Sequence, residues 1–143
     1  MRAKILNASA GSGKTYQLAY KYVRDVIDQP GLYRHILAVT FTNKATEEMK
    51  SRILKEIHRL ASGGASPYLG NLCRELSLDE RSVRKRAAEV RSKILHDYSR
   101  FTVLTIDTFF QRILRAFIKE LGIDLNYNVE IETASVLDRK STR

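Results

Sequence analysis

The apolar positions of this chain follow two rhythms in turn. Ala3 to Ala8 is a short, partly apolar run that breaks into small residues, and it predicts a buried strand. From Lys14 to about Ile27 the apolar residues Leu18, Tyr22, Val23 and Ile27 recur at helical spacing, and Gln29-Pro30-Gly31 stops the helix. Ile36 to Phe41 is rich in strand formers and predicts a second strand. Asn43 can cap the next helix, which runs to about Ala61 with Ala45, Met49, Ile53, Ile57 and Leu60 as its stripe. Residues 62–67 form a turn, and a short helix from about Pro67 to Leu76 follows. Ser77-Leu78-Asp79-Glu80 matches a capping box that opens a helix to about Tyr98, with Val83, Ala87, Val90, Ile94 and Leu95 on one face. Phe101 to Ile106 predicts a third strand. Thr108 to about Leu121 is strongly amphipathic: Phe109, Phe110, Ile113, Leu114, Phe117, Ile118 and Leu121 are expected to pack, with Arg112, Arg115 and Lys119 facing away. Gly122 ends that helix. Tyr127 to Glu132 is a weak strand signal, and the polar stretch from Leu137 to Arg143 is expected to fray.

Strand, helix, strand, helices, strand, helix is the order of an α/β protein with a parallel sheet. The length of 143 residues points to one domain large enough to bury its own core. There are no internal repeats and no low-complexity tracts. The one cysteine, Cys73, can make neither an intramolecular disulfide nor a cysteine-based metal site, which fits a reducing, cytoplasmic setting. No apolar run approaches the roughly 20 residues of a membrane span, and the basic N-terminus lacks a secretory h-region. The net charge is +9. Between Lys44 and Lys119 there are 16 Lys plus Arg against 9 Asp plus Glu, so this stretch carries +7 of it. Such a balance fits a polyanionic partner, and equally a solvated basic surface.

Between the first predicted strand and helix lies Ala8-Ser9-Ala10-Gly11-Ser12-Gly13-Lys14-Thr15. It fits the P-loop pattern, with Ala8 where the pattern begins with Gly. A P-loop turns backbone N–H groups onto phosphates and leads into a helix N-terminus. Gly11 and Gly13 supply backbone freedom where the chain approaches the ligand. Lys14 brings charge to the β- and γ-phosphates, and the Thr15 hydroxyl can ligate Mg²⁺.

Thr40, Phe41, Thr42 and Asn43 sit at the C-terminal end of the second strand, on the edge where parallel sheets bind ligands. A base can stack on Phe41 while Thr42, Asn43 or Lys44 meets the backbone of a single strand. Alternatively Phe41 is a core residue. The stretches ASAGSGKT, AVTFTNKATEEMKSRI and TIDTFFQRILRAF resemble, in that order, the first three motifs of UvrD/RecB-like superfamily 1 DNA helicases, most nearly the AddA/RecB-type helicase–nuclease subunits of double-strand break repair. The resemblance covers about Lys4 to Gly122 and rests chiefly on the second motif.

It implies an ATP-driven motor on single-stranded DNA. On that reading Ala10, Gly11, Ser12, Gly13, Lys14 and Thr15 bind ATP–Mg²⁺, with Lys14 and Thr15 serving catalysis and Thr15 the metal. Thr40, Phe41, Thr42 and Asn43 contact DNA, as do Thr105, Asp107, Thr108 and Phe109 of the third motif. Members of the family commonly carry His where Asp107 stands. An acid is unfavourable beside phosphate, so Asp107 can instead cap the following helix. A second class, a small P-loop kinase or NTPase, would use Asp107 for Mg²⁺. A third is a basic nucleic-acid binder with a vestigial loop.

The family's acidic Asp-Glu pair and its γ-phosphate arginine have no candidates after Asp107, and the glutamine that recognises adenine is missing upstream. The expectation is therefore the N-terminal part of a RecA-like first motor domain over residues 1–126, with a helical insertion at about 62–98 and the next segment starting at 127–143. The sheet is then incomplete. The remainder of the helicase chain, or self-association, is expected to cover what it leaves open.

Overall fold

The computed structural model describes residues 13–122. The predicted strand over 3–8, the first part of the phosphate loop including Ala10, Gly11 and Ser12, the weak strand over 127–132 and the C-terminal tail lie outside the described residues. Within them the order is α1 (Lys14–Asp28), β1 (Leu37–Thr40), α2 (Asn43–Ala61), α3 (Leu69–Leu76), α4 (Glu80–His96), β2 (Thr102–Thr105) and α5 (Ile106–Glu120). Short 3-10 turns at Pro30–His35 and Tyr98–Arg100 lead into the two strands. The chain divides into one unit up to Phe109 and another from Phe110.

In the first unit β1 and β2 pair in parallel, with Leu37 opposite Thr102 and Thr40 opposite Thr105. The α/β expectation holds in this coarse form. Parallel partners need a crossover, and α2, α3 and α4 supply it. α2 packs on α1, on α4 and on both strands. Its stripe of Met49, Ile53, Ile57 and Leu60 is buried, as are Val23, Val26 and Ile27 of α1 and Val83, Ala87, Val90 and Ile94 of α4. Each of the larger aliphatic side chains contributes about 1.5–3 kcal/mol on leaving water.

Three local readings are corrected. The cap of α2 is Thr42, which sits extended at φ −129° and accepts a hydrogen bond from the Ala45 amide at 3.1 Å, while Asn43 is already helical. The cap of α4 is Asp79, which accepts from the Ser82 amide at 3.2 Å. Ser77 instead ends α3 in the left-handed conformation at φ 53°. Leu95 follows Ile94 by one residue, a rotation of roughly 100°, and it is 70% exposed.

α5 starts at Ile106, and β2 stops one residue earlier at Thr105. Against the expectation for its apolar face, no residue of α5 is fully buried: Phe109 and Ile118 are half-buried, Phe117 is 59% exposed, and Leu121 just past its end is 56% exposed. Periodicity records that a helix has an apolar face. It does not record what covers that face.

Candidate nucleotide and nucleic-acid site

α1 begins at Lys14 with Gly13 as its N-cap, at φ −54° and ψ 2°. No side chain caps this end and no acidic residue occupies the first turn. The helix dipole and the N–H groups of that turn therefore favour an anion. Gly13 is exposed, and a Cβ there would meet nothing within 4 Å. Its φ is one that any residue adopts, so the described backbone conformation does not itself require glycine. These features fit a phosphate group. Thr15 is half-buried, and its hydroxyl is the oxygen this turn can offer to Mg²⁺. Among the described residues no group of three or more His, Cys, Asp or Glu could hold a metal ion.

The first turn is braced from behind. The Tyr68 hydroxyl donates to the Tyr16 carbonyl at 3.1 Å, and the two rings meet edge to face at 5.0 Å. The Arg52 guanidinium lies 5.9 Å from the Tyr16 ring centroid. Burial pushes the Tyr68 phenol up to about 12, so it remains a donor through the neutral range.

The second cluster stands at the C-terminal edge of the sheet. Thr40 and Thr105 are register partners, so the loop that follows β1 and the first turn of α5 emerge side by side. Phe41 is 67% exposed, which removes the core reading for it. Thr42, Asn43 and Lys44 are exposed as well. Thr40 turns inward: its hydroxyl meets Thr46 Oγ1, the Thr42 carbonyl at 3.2 Å and the Leu104 carbonyl at 3.4 Å. Thr105 is buried, accepts from the Thr108 amide at 3.3 Å and donates to Thr108 Oγ1 at 2.9 Å. The oxygen facing the start of α5 thus belongs to Thr105 and not to Asp107. Asp107 is exposed in the first turn of α5, past the end of β2. Thr108 and Phe109 are half-buried.

Residues 2–141 match the family model described as the UvrD/REP helicase N-terminal domain. The chain belongs to this family. It is 30% identical over 128 residues to RecBCD enzyme subunit RecB of Escherichia coli K12, covering 84% of this chain and 11% of that one. It is 27% identical over 138 residues to one subunit of the ATP-dependent helicase/nuclease of Acetivibrio thermocellus, covering 95% and 9% respectively. RecB of Haemophilus influenzae is 29% identical over 155 residues, covering 94% and 12%. The chain therefore spans about a tenth of the length of these relatives. No solved structure matches it significantly.

For this UvrD/REP helicase N-terminal domain, two buried polar residues escape a reading of the sequence. Thr46 and Glu56 both lie on the apolar side of α2 and are 7% and 6% exposed. Glu56 accepts from Ser66 Oγ at 2.8 Å and from Arg59 at 2.9 Å, which fixes the turn after α2. The signal that could have found them is spacing: each is a polar residue at helical intervals from the stripe formed by Met49, Ile53, Ile57 and Leu60. No helix of the described residues is long and apolar enough to cross a membrane.

Proposed function

We propose that this chain forms the ATP-phosphate-binding and single-stranded-DNA-contacting part of an ATP-dependent DNA helicase of repair or recombination, acting in the cytoplasm. Residues 1–126 are the N-terminal part of its RecA-like first motor domain, about 62–98 a helical insertion in it, and 127–143 the start of the next segment. The observation that carries this reading is the sheet edge. The loop after β1 and the start of α5 leave it side by side, with Phe41 exposed and the exposed Thr42, Asn43 and Lys44 directly after it in the chain. An exposed aromatic beside such groups is what a sequence-tolerant single-strand binder needs.

Ala10, Gly11, Ser12, Gly13 and Lys14 are the phosphate-holding residues on this reading, with Thr15 offering its hydroxyl to Mg²⁺. ATP supplies the phosphoanhydride energy when bound. Thr40, Phe41, Thr42 and Asn43 contact the strand on this reading and Thr105, Asp107, Thr108 and Phe109 line its path, with the inward Thr40 hydroxyl and the buried Thr105 supporting the exposed residues. The exposed position of Asp107 in a helix, past the end of β2, gives no support to a self-contained kinase in which that carboxylate holds Mg²⁺.

The test uses the 143-residue chain with a fluorescent oligo-dT strand and a fluorescent ATP analogue. Phe41→Ala is expected to weaken oligonucleotide binding by about 1–3 kcal/mol and to leave nucleotide binding intact. Lys14→Ala is expected to remove nucleotide binding, and Asp107→Asn to leave Mg²⁺-dependent nucleotide binding unchanged. Loss of nucleotide binding in Asp107→Asn together with no effect of Phe41→Ala would favour the kinase. These 143 residues carry no Asp-Glu pair after an apolar strand, so little ATP turnover is expected from them alone. A robust DNA-stimulated rate would overturn that part.

A further inference from the structure

We propose that Thr46 is a positioning residue that ties the loop after β1 to the end of β2, and so sets the placement of Phe41. The proposal rests on the reading of Phe41 as a base-stacking platform. Thr46 is 7% exposed and lies one helical turn after Thr42, the cap of α2. Its hydroxyl lies 3.1 Å from the Thr42 carbonyl and within hydrogen-bond reach of Thr40 Oγ1. Thr40 Oγ1 in turn reaches the Leu104 carbonyl of β2 at 3.4 Å. Leu104 directly precedes Thr105, whose hydroxyl holds the start of α5 through Thr108.

Each hydroxyl has one proton to give. If Thr46 donates to Thr40, the Thr40 proton is shared between the Leu104 carbonyl at 3.4 Å and the Thr42 carbonyl at 3.2 Å, and through the former the pair bridges α2 to β2. If Thr46 donates to the Thr42 carbonyl, Thr40 donates to Thr46, and the pair grips the loop. The Thr42 carbonyl is held in both cases, because the Thr46 amide donates to it at 3.0 Å. A threonine bonded only to its i−4 carbonyl would be a local matter of one helix. The contact with Thr40 makes this one a link between elements. Burial of Thr46 raises its weight: deleting its hydroxyl removes the donor or acceptor that the half-buried Thr40 hydroxyl meets on the α2 side. Volume alone does not ask for threonine here, since valine has the same shape.

The experiment uses the 143-residue chain as Thr46→Val, Thr46→Ala and Thr46→Ser, each with and without Phe41→Ala. Oligo-dT binding is read by anisotropy, and amide spectra are recorded without DNA. Thr46→Val is expected to weaken oligonucleotide binding roughly two- to tenfold, the range of one lost hydrogen bond. Thr46→Ser is expected to restore it, and Thr46→Val to add nothing in the Phe41→Ala background. The amide signals of Phe41–Lys44 and Thr105–Thr108 should move in Thr46→Val. Thr46→Ala provides the same comparison should the valine variant fail to fold. Equal losses in both backgrounds, which general destabilisation would give, overturn the proposal. So do spectral changes confined to α2. If Phe41→Ala itself has no effect on binding, the platform reading falls, and the amide spectra alone decide whether Thr46 links the loop after β1 to the end of β2.

Discussion

Ser77 sits at φ 53°, a conformation that costs a non-glycine residue about 1–2 kcal/mol. Ser77→Gly is expected to raise the unfolding free energy by about 0.5–1 kcal/mol after glycine's extra chain entropy is set against the relieved strain, as read from urea denaturation. Two residues on, hydrogen bonds from Ser82 to the Asp79 carboxylate hold its pKa below the ordinary aspartate range. A depressed folded pKa gives stabilisation that is present above the ordinary value and lost as pH falls through the depressed one. Asp79→Asn keeps a capping oxygen and loses the titration. Its urea midpoint should therefore fall less than that of the unaltered chain between about pH 5 and pH 2.5. The stretch Ser77-Leu78-Asp79-Glu80 offers two capping oxygens, and pattern alone cannot choose between them. The choice falls to the end of α3, which needs Ser77 in the left-handed region and leaves Asp79 extended at ψ 163°.

α4 looks in sequence like a basic surface, and much of its charge has internal work. Arg84 donates to the carbonyls of Leu60 and Gly64, both at 3.1 Å. Arg86 donates to those of Ile27 and Asp28 at 3.3 and 3.0 Å. Arg91 donates to Ser62 Oγ at 3.1 Å. A cation at the last carbonyls of a helix satisfies orphan acceptors and opposes the negative end of the dipole. α4 thus secures the C-terminal ends of α1 and α2, whose other ends lead to the two candidate loops. Arg84→Ala is expected to lower stability by about 1–2 kcal/mol, measured by chemical denaturation. Arg84→Lys should recover less than half of it, because Nη1 serves both carbonyls while Nε and Nη2 hold the Glu80 carboxylate, and a single ammonium cannot do both. Part of the +7 between Lys44 and Lys119 is therefore committed to the fold and is not free for a polyanion.

Ile113, Leu114 and Phe117 on α5, and Leu121 just past its end, are between 41% and 59% exposed. Exposed apolar side chains of this size favour association in water. The chain is expected to self-associate with rising concentration in light scattering, and Phe117→Glu to return it to monomer. Since Phe117 is not buried, the same substitution should change the unfolding free energy by no more than about 0.5 kcal/mol. A clean monomer at high concentration would remove the association.

The order of elements, the stripes of α1, α2 and α4 and the residues of the two loops are all legible in the sequence, because spacing and loop chemistry are properties of neighbours along the chain. The parallel register that sets Thr40 beside Thr105 is not, nor is the exposure of Phe41. The hydroxyl link from Thr46 to β2 and the arginine clamps of α4 are hidden for the same reason. Each depends on contacts between residues tens of positions apart, and such contacts are selected by packing and burial, which no local pattern records.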